Sequence, residues 1–327
     1  MTINWIDFAS VIQQHQRFLL ISHVRPDCDA LGSELGMASI LEALGKDVRI
    51  VNGDTTPPNL AFIDPQNRIE VLGHGVTLED LQEIDAIMIL DTSAWGQLGP
   101  MGDVIRSLNV PKMVLDHHVS EDDLGAQLFK DSEAEATGRL VVEAAGHLGV
   151  ELTAEMGVPL FAALATDTGW FRFNSVTEKT YTCAAQLLGV GVSPSEVYRQ
   201  LYERDTLPRL KLRGVALEHI TVEQGGLLAH TYLRQEDFAT TGALLSDTED
   251  VVNNLFLVDG VEVAVILLEQ PDGGVKISFR SRGQLDCSQL AGLFGGGGHQ
   301  AAAGAFVKGS FEEVSASVLD AVRQQMQ

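Results

Sequence analysis

Residues 18–45 read FLLISHVRPDCDALGSELGMASILEALG and contain one complete strand-to-helix transition. FLLIS is a continuous apolar run, which is typical of a strand that is buried on both faces of a sheet. From Ala30 to Gly45 the apolar spacing is helical, and Gly45 suits a helix C-cap. Between them, HVRPDCD places a histidine beside two aspartates. Carboxylates packed this closely repel each other, so something must compensate their charge.

The same alternation of short apolar runs and helical patterns continues through the first half of the chain. ATGRLVVEAAGHLG (136–149) predicts a further helix. This order predicts the α/β class, with a doubly wound, mainly parallel sheet in which ligands bind at the carboxyl ends of the strands. The predicted strands are FLLISH (18–23), DVRIVN (47–52), DAIMILD (85–91) and KMVLDHH (112–118).

The pattern changes in the last third of the chain, which predicts a second, smaller α+β domain. A chain of 327 residues is also too long for one comfortable core. The charge-rich stretch YERDTLPRLKLRG (202–214), which contains Pro208, predicts a linker. We therefore expect a first domain over residues 1–195, a linker region over 196–215 and a second domain over 216–327. The predicted strands of the second domain are HITVE, LLAHTYL, VEVAVILLEQ and GVKISFRS.

Composition narrows the classes of partner. The formal net charge of −23 opposes binding to long nucleic acid or to an anionic membrane surface. No apolar run reaches the roughly 18 residues of a membrane span, and the N-terminal residues lack a secretory pattern. The cysteines, Cys28, Cys183 and Cys287, show neither a disulfide framework nor zinc spacing, which fits a reducing cytoplasm. We expect a cytoplasmic protein without a membrane partner.

Acidic and histidine side chains follow several of the predicted strands. The carboxyl ends of parallel strands share one edge of a sheet, so these groups should converge. Carboxylates and imidazoles without a thiolate pattern favour Mn²⁺, Mg²⁺ or Fe²⁺ over a structural zinc, and a cluster this large suits two ions about 3.5–4 Å apart. The candidate metal ligands are His23, Asp27, Asp29, Asp91, His117 and Asp167, with Asp116 and His118 beside them.

Each of these residues taken alone has an ordinary interpretation. A strand-end aspartate is usually a turn or cap residue, and a lone histidine is usually a polar contact. The succession of HxxxDxD, Asp-Thr-Ser and Asp-His-His favours the metal interpretation for the set. Cys28, between two candidate ligands, is expected to be a small residue in a tight loop. His74, His147 and His230 lack such neighbours, and we expect them to be structural.

These motifs resemble those of the DHH phosphoesterase family. HVRPDCDALGSELG, ILDTS, VLDHH and ATDTGWFRF occur in the order of that family. FGGGGHQAAAGA, near the C-terminus, resembles the glycine-rich motif of the DHH-associated C-terminal domain that also occurs in alanyl-tRNA synthetases. The resemblance covers nearly the whole chain and indicates the bacterial nano-RNase and phosphoadenosine-phosphate phosphatase branch. The sequence differs at Cys28, where glycine or another small residue is more common, and at Arg139, where an acidic residue is common.

The resemblance implies two Mn²⁺ ions in the first domain, with Mg²⁺ or Fe²⁺ as alternatives, and an active site in the cleft between the domains. It assigns His118 to the scissile phosphate or the leaving group, and Asp116 to orienting its neighbours; these are the expected catalytic residues. Asp91 would bridge the two ions. The implied ligands are His23, Asp27 and Asp91 for one ion, and Asp29, Asp91, His117 and Asp167 for the other.

The strand GVKISFRSRG (274–283) of the second domain presents Lys276, Arg280 and Arg282 on one face. Arginine binds phosphate with a bidentate fork, so we expect substrate binding from the two arginines and a solvated role for Lys276. Glycines let backbone N–H groups approach a phosphate or a base. The expected substrate-binding residues are Ser278, Arg280, Arg282, Gly297, Gly298 and His299.

The sequence as a whole predicts an Mn²⁺-dependent phosphoesterase. Its expected substrates are oligoribonucleotides of about two to five nucleotides, which it would hydrolyse to nucleoside monophosphates, and 3′-phosphoadenosine 5′-phosphate, which would yield AMP and phosphate. A hydroxide activated by two metals would attack the phosphate. The sequence leaves open cyclic di-AMP or linear dinucleotide hydrolysis and, less favoured, a pyrophosphatase, a RecJ-type exonuclease or a non-catalytic nucleotide sensor. Cleavage polarity, the native metal, a homodimer and the roles of Arg25 and Arg139 stay undecided.

Overall fold

A computed structural model of the chain describes residues 3–248, 251–271 and 273–326. The chain divides into two compact units, Met1–Arg204 and Asp205–Gln327. The segment predicted as a linker is largely helical around this division. Pro208 lies in the first turn of a helix over Leu207–Glu218 that Thr206 caps. A proline at this position costs the helix no hydrogen bond, because the N–H groups of the first turn have no helical partner.

A parallel sheet forms the centre of the first unit. Its strands are β1 (Arg17–Ile21), β2 (Asp47–Asn52), β3 (Ile69–Leu72), β4 (Gly75–Val76), β5 (Ala86–Leu90), β6 (Lys112–Asp116) and β7 (Gln127–Lys130). Its helices are α1 (Trp5–Gln14), α2 (Cys28–Ala43), α3 (Met101–Ser107), α4 (Thr137–Leu148), α5 (Ala154–Asp167), α6 (Glu178–Gly189) and α7 (Pro194–Tyr202). The 7-stranded sheet has the order β4-β3-β2-β1-β5-β6-β7, and all its neighbours pair in parallel.

Both faces of this sheet are covered, as the continuous apolar runs predict. Phe18 and Leu20 of β1 pack into a core that contains residues of α1, α2, α4 and α5. Leu19 and Ile21 face the other way, into a second core with α3. The predicted doubly wound α/β architecture is confirmed. With both faces buried, the strand ends are where the sheet can place charged groups.

The strand order reverses between β1 and β5. The chain runs outward from β1 to β4 on one side of the sheet and from β5 to β7 on the other. In open α/β sheets the crevice at such a switch point is the usual ligand site. His23 lies two residues beyond β1, and Asp91 directly follows β5, so two of the predicted metal ligands lie at this position.

Helix α2, which begins the predicted site, packs closely against α5. The backbone position of Gly32 faces the carbonyl of Pro159 and the side chain of Ala163, and Gly36 faces Leu160. Glycine allows the two helices to approach because a Cβ would collide at both positions. This contact fixes the N-terminal turn of α2, which contains Asp29.

The second unit is a mixed α+β structure, as predicted. Its strands are β8 (Thr221–Glu223), β9 (Leu228–Leu233), β10 (Val263–Glu269), β11 (Val275–Ser281), β12 (Gly297–His299) and β13 (Ala302–Val307). Its helices are α8 (Leu207–Glu218), α9 (Gln235–Thr241), α10 (Cys287–Gly292) and α11 (Phe311–Gln325). The 6-stranded sheet has the order β12-β13-β11-β10-β9-β8, and only β9 and β10 pair in parallel. Across the ranges that the structure describes, no helix is long and apolar enough to cross a membrane.

The contact of α2 with α5 predicts that Gly32→Ala destabilises the first unit. The new Cβ would lie 2.4 Å from the Pro159 carbonyl oxygen and 2.9 Å from the Ala163 Cβ. Overpacking of this kind costs about 1–3 kcal/mol. All tryptophans of the chain (Trp5, Trp95 and Trp170) lie in the first unit, so urea unfolding followed by tryptophan fluorescence measures the free energy of unfolding of that unit.

Gly146→Ala in α4 is the matched control. No atom lies within 4 Å of a Cβ added to Gly146, which is exposed. This substitution should therefore stabilise the first unit by about 0.5–1 kcal/mol through helix propensity. Equal effects of the two substitutions would contradict the close approach of α2 and α5.

Candidate metal centre

The side chains predicted as metal ligands lie together at the carboxyl edge of the parallel sheet. His23 follows β1, Asp91 follows β5, His117 follows β6, and Asp167 is the last residue of α5. Two groups of possible ligand atoms, each with its own atoms within 4.8 Å of one another, come from His23, Asp27 and Asp91 and from Asp29, His117 and Asp167. A third such group, from Asp91, His117 and His118, shares one residue with each of them. The structure thus brings all these residues together from sequence-distant elements.

Asp91 lies between the two groups. Its Oδ2 is 3.5 Å from Nε2 of His23, and its Oδ1 is 3.5 Å from Nε2 of His117. The hydroxyl of Thr137 donates to Oδ1 at 2.9 Å. Asp91 has φ of +61°, a left-handed conformation that is uncommon for residues other than glycine. Each carboxylate oxygen therefore faces a different histidine, which is the arrangement that a bridging ligand requires.

His23 and His117 are each oriented by a hydrogen bond of Nδ1, the ring nitrogen that does not face Asp91. Nδ1 of His23 lies 3.0 Å from the carbonyl oxygen of Val24, and Nδ1 of His117 lies 3.1 Å from that of Ala134. A carbonyl can only accept a hydrogen bond, so Nδ1 carries the proton in each case. Nε2 is left with a lone pair that faces the carboxylates, as in most protein metal sites.

Two of the aspartates also cap helices. Asp27 is the N-cap of α2, where its Oδ1 accepts hydrogen bonds from the N–H groups of Asp29 and Ala30, both at 3.0 Å. Asp29 accepts from the N–H groups of Thr137, at 2.7 Å, and Gly138, at 2.8 Å, in the first turn of α4. The N-terminus of α4 carries a partial positive charge, which stabilises the buried Asp29 carboxylate.

The carboxylates of the cluster repel one another, so their negative charge is not compensated within the set. Burial, followed by repulsion from neighbouring aspartates, raises the pKa of Asp91 well above its ordinary value and that of Asp167 to about 8. Burial also raises the pKa of Asp29. In the described part of the chain, no lysine or arginine forms an ion pair with these residues. Oxygen and imidazole donors with uncompensated charge fit hard divalent cations such as Mn²⁺, Mg²⁺ or Fe²⁺.

The expected catalytic pair, Asp116 and His118, lies beside the cluster. Nδ1 of His118 is 2.8 Å from Oδ1 of Asp116, and this hydrogen bond raises the pKa of His118. Oδ2 of Asp116 accepts from the hydroxyl of Ser93 at 2.7 Å and lies 3.4 Å from the ammonium of Lys130. Although burial opposes ionisation, these hydrogen bonds hold the pKa of Asp116 below its ordinary value. Asp116 is thus buried and hydrogen-bonded through both carboxylate oxygens, whereas the imidazole of His118 is half-exposed.

Three residues of this site were not among the predicted ones. They are Ser93 and Lys130, which hold Asp116, and Thr137, which contacts both Asp29 and Asp91. Ser93 lies in the ILDTS motif, and this was an available signal. Thr137 lies in EATGRLV (135–141), a run that resembles a family segment in which this threonine is kept. Lys130 gave no comparable signal, because its contacts depend on the tertiary structure.

Several residues with open roles have definite surroundings. Arg139 is buried and forms ion pairs with Glu135 at 2.7 Å, Asp131 at 3.8 Å and also Glu143. Arg25 is exposed, and its backbone N–H donates to Asp54 at 2.7 Å. Cys28, which was expected in a tight loop, is instead the first residue of α2; it is buried in the apolar core, and burial raises the pKa of its thiol.

Strand β11 of the second unit alternates as predicted. Ile277 and Phe279 are buried, whereas Ser278 and Arg280 are half-buried and Arg282 is exposed. Nη1 of Arg280 donates to the carbonyl of Phe279 at 3.0 Å. The guanidinium of Arg282 lies over the ring of Phe256, 4.2 Å from its centroid. Neighbouring groups of the same unit therefore order the two arginines, and within the described part of the chain neither guanidinium forms an ion pair with a carboxylate.

Packing explains some residues of the glycine-rich run but not others. Cβ atoms at Gly296 and Gly298 would lie 2.1 Å and 2.6 Å from carbonyl oxygens of β13, so these glycines are required for strand packing. A Cβ at Gly297 would meet no atom within 4 Å. His299 is exposed at the end of β12. Gly297 and His299 are thus the positions that packing does not explain.

Comparisons with known proteins agree with this geometry. Residues 17–165 match the DHH family, N-terminal domain, and residues 242–327 match the DHHA1 domain. The bifunctional oligoribonuclease and PAP phosphatase NrnA of Thermus thermophilus is 33% identical over 313 residues, which are 94% of this chain and 89% of that protein. The protein of the same name from Bacillus subtilis is 28% identical over 304 residues, 92% of each chain.

Solved structures show the same fold. The crystal structure of an exopolyphosphatase-related protein from Bacteroides fragilis superposes with a TM-score of 0.86 at 27% identity, covering 98% of this chain and 94% of that chain. The chain belongs to the DHH family and carries its DHHA1 domain. It is a metal-dependent phosphoesterase, and therefore a hydrolase.

The raised pKa values predict that metal binding releases protons and strengthens as the pH rises. In metal-free protein, Asp91 and Asp167 retain protons that a divalent cation must displace. Mn²⁺ affinity, measured by isothermal titration calorimetry, should therefore fall as the pH is lowered from about 8 to about 6. Titrations in buffers of different ionisation enthalpy count the protons released. Asp167→Asn should release fewer protons, and an affinity that is independent of pH would contradict the prediction.

Proposed function

We propose that the protein uses two Mn²⁺ ions to hydrolyse short oligoribonucleotides to nucleoside monophosphates, and 3′-phosphoadenosine 5′-phosphate to AMP and phosphate. The observation that carries this proposal is the position of Asp91 between two groups of ligand atoms at the switch point of the sheet. The substrate class is drawn from the relatives named as oligoribonuclease and PAP phosphatase. Unpaired cysteines are consistent with a cytoplasmic location.

The proposed ligand sets follow the two groups. When bound, the two cations would lower the pKa of a water molecule and neutralise charge on the phosphate. The chain contributes the rigidity: Thr137 and the N-terminus of α4 hold Asp91 and Asp29 in place. The proposed ligands of one ion are His23, Asp27 and Asp91, and those of the other are Asp29, Asp91, His117 and Asp167.

His118 is proposed to act on the phosphate or the leaving group. Its Nδ1 is engaged by Asp116, so Nε2 is the atom available to a phosphoryl oxygen or to the departing oxygen. The raised pKa of His118 favours the imidazolium form, which can stabilise negative charge or donate a proton. Lys130 and Ser93 keep Asp116 in the orientation that this requires.

Residues of the second unit are proposed to bind the terminal nucleotide. The guanidinium groups are cations in a chain with a net charge of −23, and a bidentate arginine suits a phosphate. The same negative charge disfavours a long polyanion beyond the site. The proposed contacts are Ser278, Arg280, Arg282, the backbone of Gly297 and Gly298, and His299.

Asp91→Asn is the central test of the proposed activity. Asparagine tolerates the left-handed backbone and can still bond to Thr137, but it removes the bridging charge. We expect Mn²⁺-dependent turnover of a diribonucleotide to fall by at least about 1,000-fold, because the metal clamp supplies several kcal/mol of transition-state stabilisation. Asp103→Asn is the control, since the Asp103 side chain is 91% exposed and lies on α3.

The same assay, with a panel of substrates and cations, tests the substrate class. The panel contains RNAs from dimers to long chains, 3′-phosphoadenosine 5′-phosphate, cyclic di-AMP and pyrophosphate, each with Mn²⁺, Mg²⁺ or Fe²⁺. We expect the short RNAs and 3′-phosphoadenosine 5′-phosphate to be hydrolysed fastest. Failure of the wild-type protein to hydrolyse any of these would overturn the proposed substrates.

Alanine substitutions of Arg280, on β11, and of Arg282, one residue beyond its end, test the proposed phosphate contacts. Arg280→Ala and Arg282→Ala should each raise KM for a diribonucleotide about tenfold, with kcat within about twofold, because each removes a charge-assisted hydrogen bond. The salt dependence of KM should also weaken. Lys276→Ala, on the same face of the same strand, removes one positive charge and should leave KM unchanged. An equal effect of Lys276→Ala would indicate general attraction rather than specific contacts.

A further inference from the structure

The chain makes a strained turn directly after Asp167. Gly169, Trp170 and Phe171 have φ values of 55°, 60° and 61°. The left-handed region is unfavourable for bulky residues, and two consecutive aromatic residues adopt it here. Such conformations persist only where the surrounding structure over-determines them, and they concentrate at functional sites. The turn therefore needs an explanation beyond chain reversal.

Hydrogen bonds from buried Thr168 hold the turn from inside. Its hydroxyl donates to the carbonyl of Leu164 at 2.7 Å and accepts from the N–H of Phe171 at 3.1 Å. Its carbonyl accepts from the N–H groups of Arg172, at 3.0 Å, and Phe173, at 3.1 Å. The turn is thus a compact, fully bonded unit rather than a loose connection.

Aromatic packing fixes the turn from outside. The ring of Trp170 meets those of Phe161 and Tyr198 edge-on, with centroid distances of 6.0 Å and 5.0 Å. Edge-to-face contacts at these distances are favourable. Trp170 and Phe171 also pack against the main core of the first unit. The side chains of Trp170 and Phe171 anchor the turn, so packing explains these two of its aromatic residues.

Phe173 has a different position. Its ring lies over the backbone of Gly169, where an added Cβ would lie 2.4 Å from two ring atoms. Gly169 is two residues from Asp167, yet Phe173 is 54% exposed. Burial of apolar surface does not account for the position of this ring, because more than half of Phe173 is exposed although the ring lies over a glycine two residues from a proposed metal ligand.

We propose that Phe173 stacks on the nucleobase of the nucleotide whose phosphate is cleaved. This inference rests on the proposed function and adds a specificity-determining residue to it. Aromatic side chains stack on every base, because each base has a π-face, so the contact would accept any sequence. It would act only on substrates that carry a base near the scissile phosphate. Glycine at position 169 is required, because any side chain there would displace the ring.

The test compares an intact diribonucleotide with analogues in which one or the other nucleoside is abasic. Phe173→Leu should raise KM for the intact dimer about tenfold and leave kcat within about twofold. For the analogue that lacks the stacked base, wild type and Phe173→Leu should have the same KM. Phe173→Tyr keeps an aromatic face and should restore the wild-type KM. Melting temperatures of the variants establish that the fold is intact.

Tyr181→Leu is the matched control. Tyr181 is 58% exposed, but its ring stacks on Phe171, at a centroid distance of 5.7 Å, rather than over Gly169. This substitution should leave KM within about twofold. An unchanged KM for Phe173→Leu, or an equal rise in KM for intact and both abasic dimers, overturns the stacking role alone. Absence of dimer turnover by the wild-type protein overturns the proposed substrates, and the stacking role with them.

Discussion

Mutual repulsion of buried carboxylates is the constraint around which the first unit is organised. Asp29, Asp91 and Asp167 approach one another where β1 and β5 end, and burial raises the pKa of each. Burying charges without compensation is costly, and no lysine or arginine in the described ranges pairs with them. Divalent cations can compensate such a cluster, so the conformation that is costly without metal is the one suited to binding them.

Helix ends supply the compensation that does not depend on metal. Asp29 joins the start of α2 to the start of α4 through hydrogen bonds to residues 108 and 109 positions away. These N–H groups would otherwise lack helical partners, so one carboxylate satisfies α4 while α4 stabilises the carboxylate. The contact requires close helix packing, which Gly32 and Gly138 allow; a Cβ at Gly138 would lie 2.8 Å from the Cβ of Ala163.

The sequence predicts the parts of the structure that local pattern determines. Strands β1 and β5 are predictable because their apolar runs are continuous, and the proposed ligands His23 and Asp91 are predictable because they follow those strands. Strands β3, β4 and β7 have only 4, 2 and 4 residues and lie at or near the sheet edges, so they leave little pattern. Lys130 is not predictable, since only the fold brings it to Asp116, and the contact of Thr137 with Asp91 likewise depends on the fold. Arg139 departs from the family pattern, but Glu135 and Asp131 compensate its charge.

Backbone strain is concentrated near the site, although Asn67 and Gln224 show it elsewhere. Among the described residues, the non-glycine positions with positive φ are Arg25, Asn67, Asp91, Trp170, Phe171 and Gln224. Arg25 lies between two proposed ligands, Asp91 is one, and Trp170 and Phe171 follow Asp167 in a single turn. Asp91 and the turn after Asp167 each lie where the chain leaves a regular element, β5 and α5 respectively, and must change direction sharply. Regular strands and helices cannot supply that geometry. The packing of the buried sheet therefore stabilises the unfavourable backbone conformations at its edge.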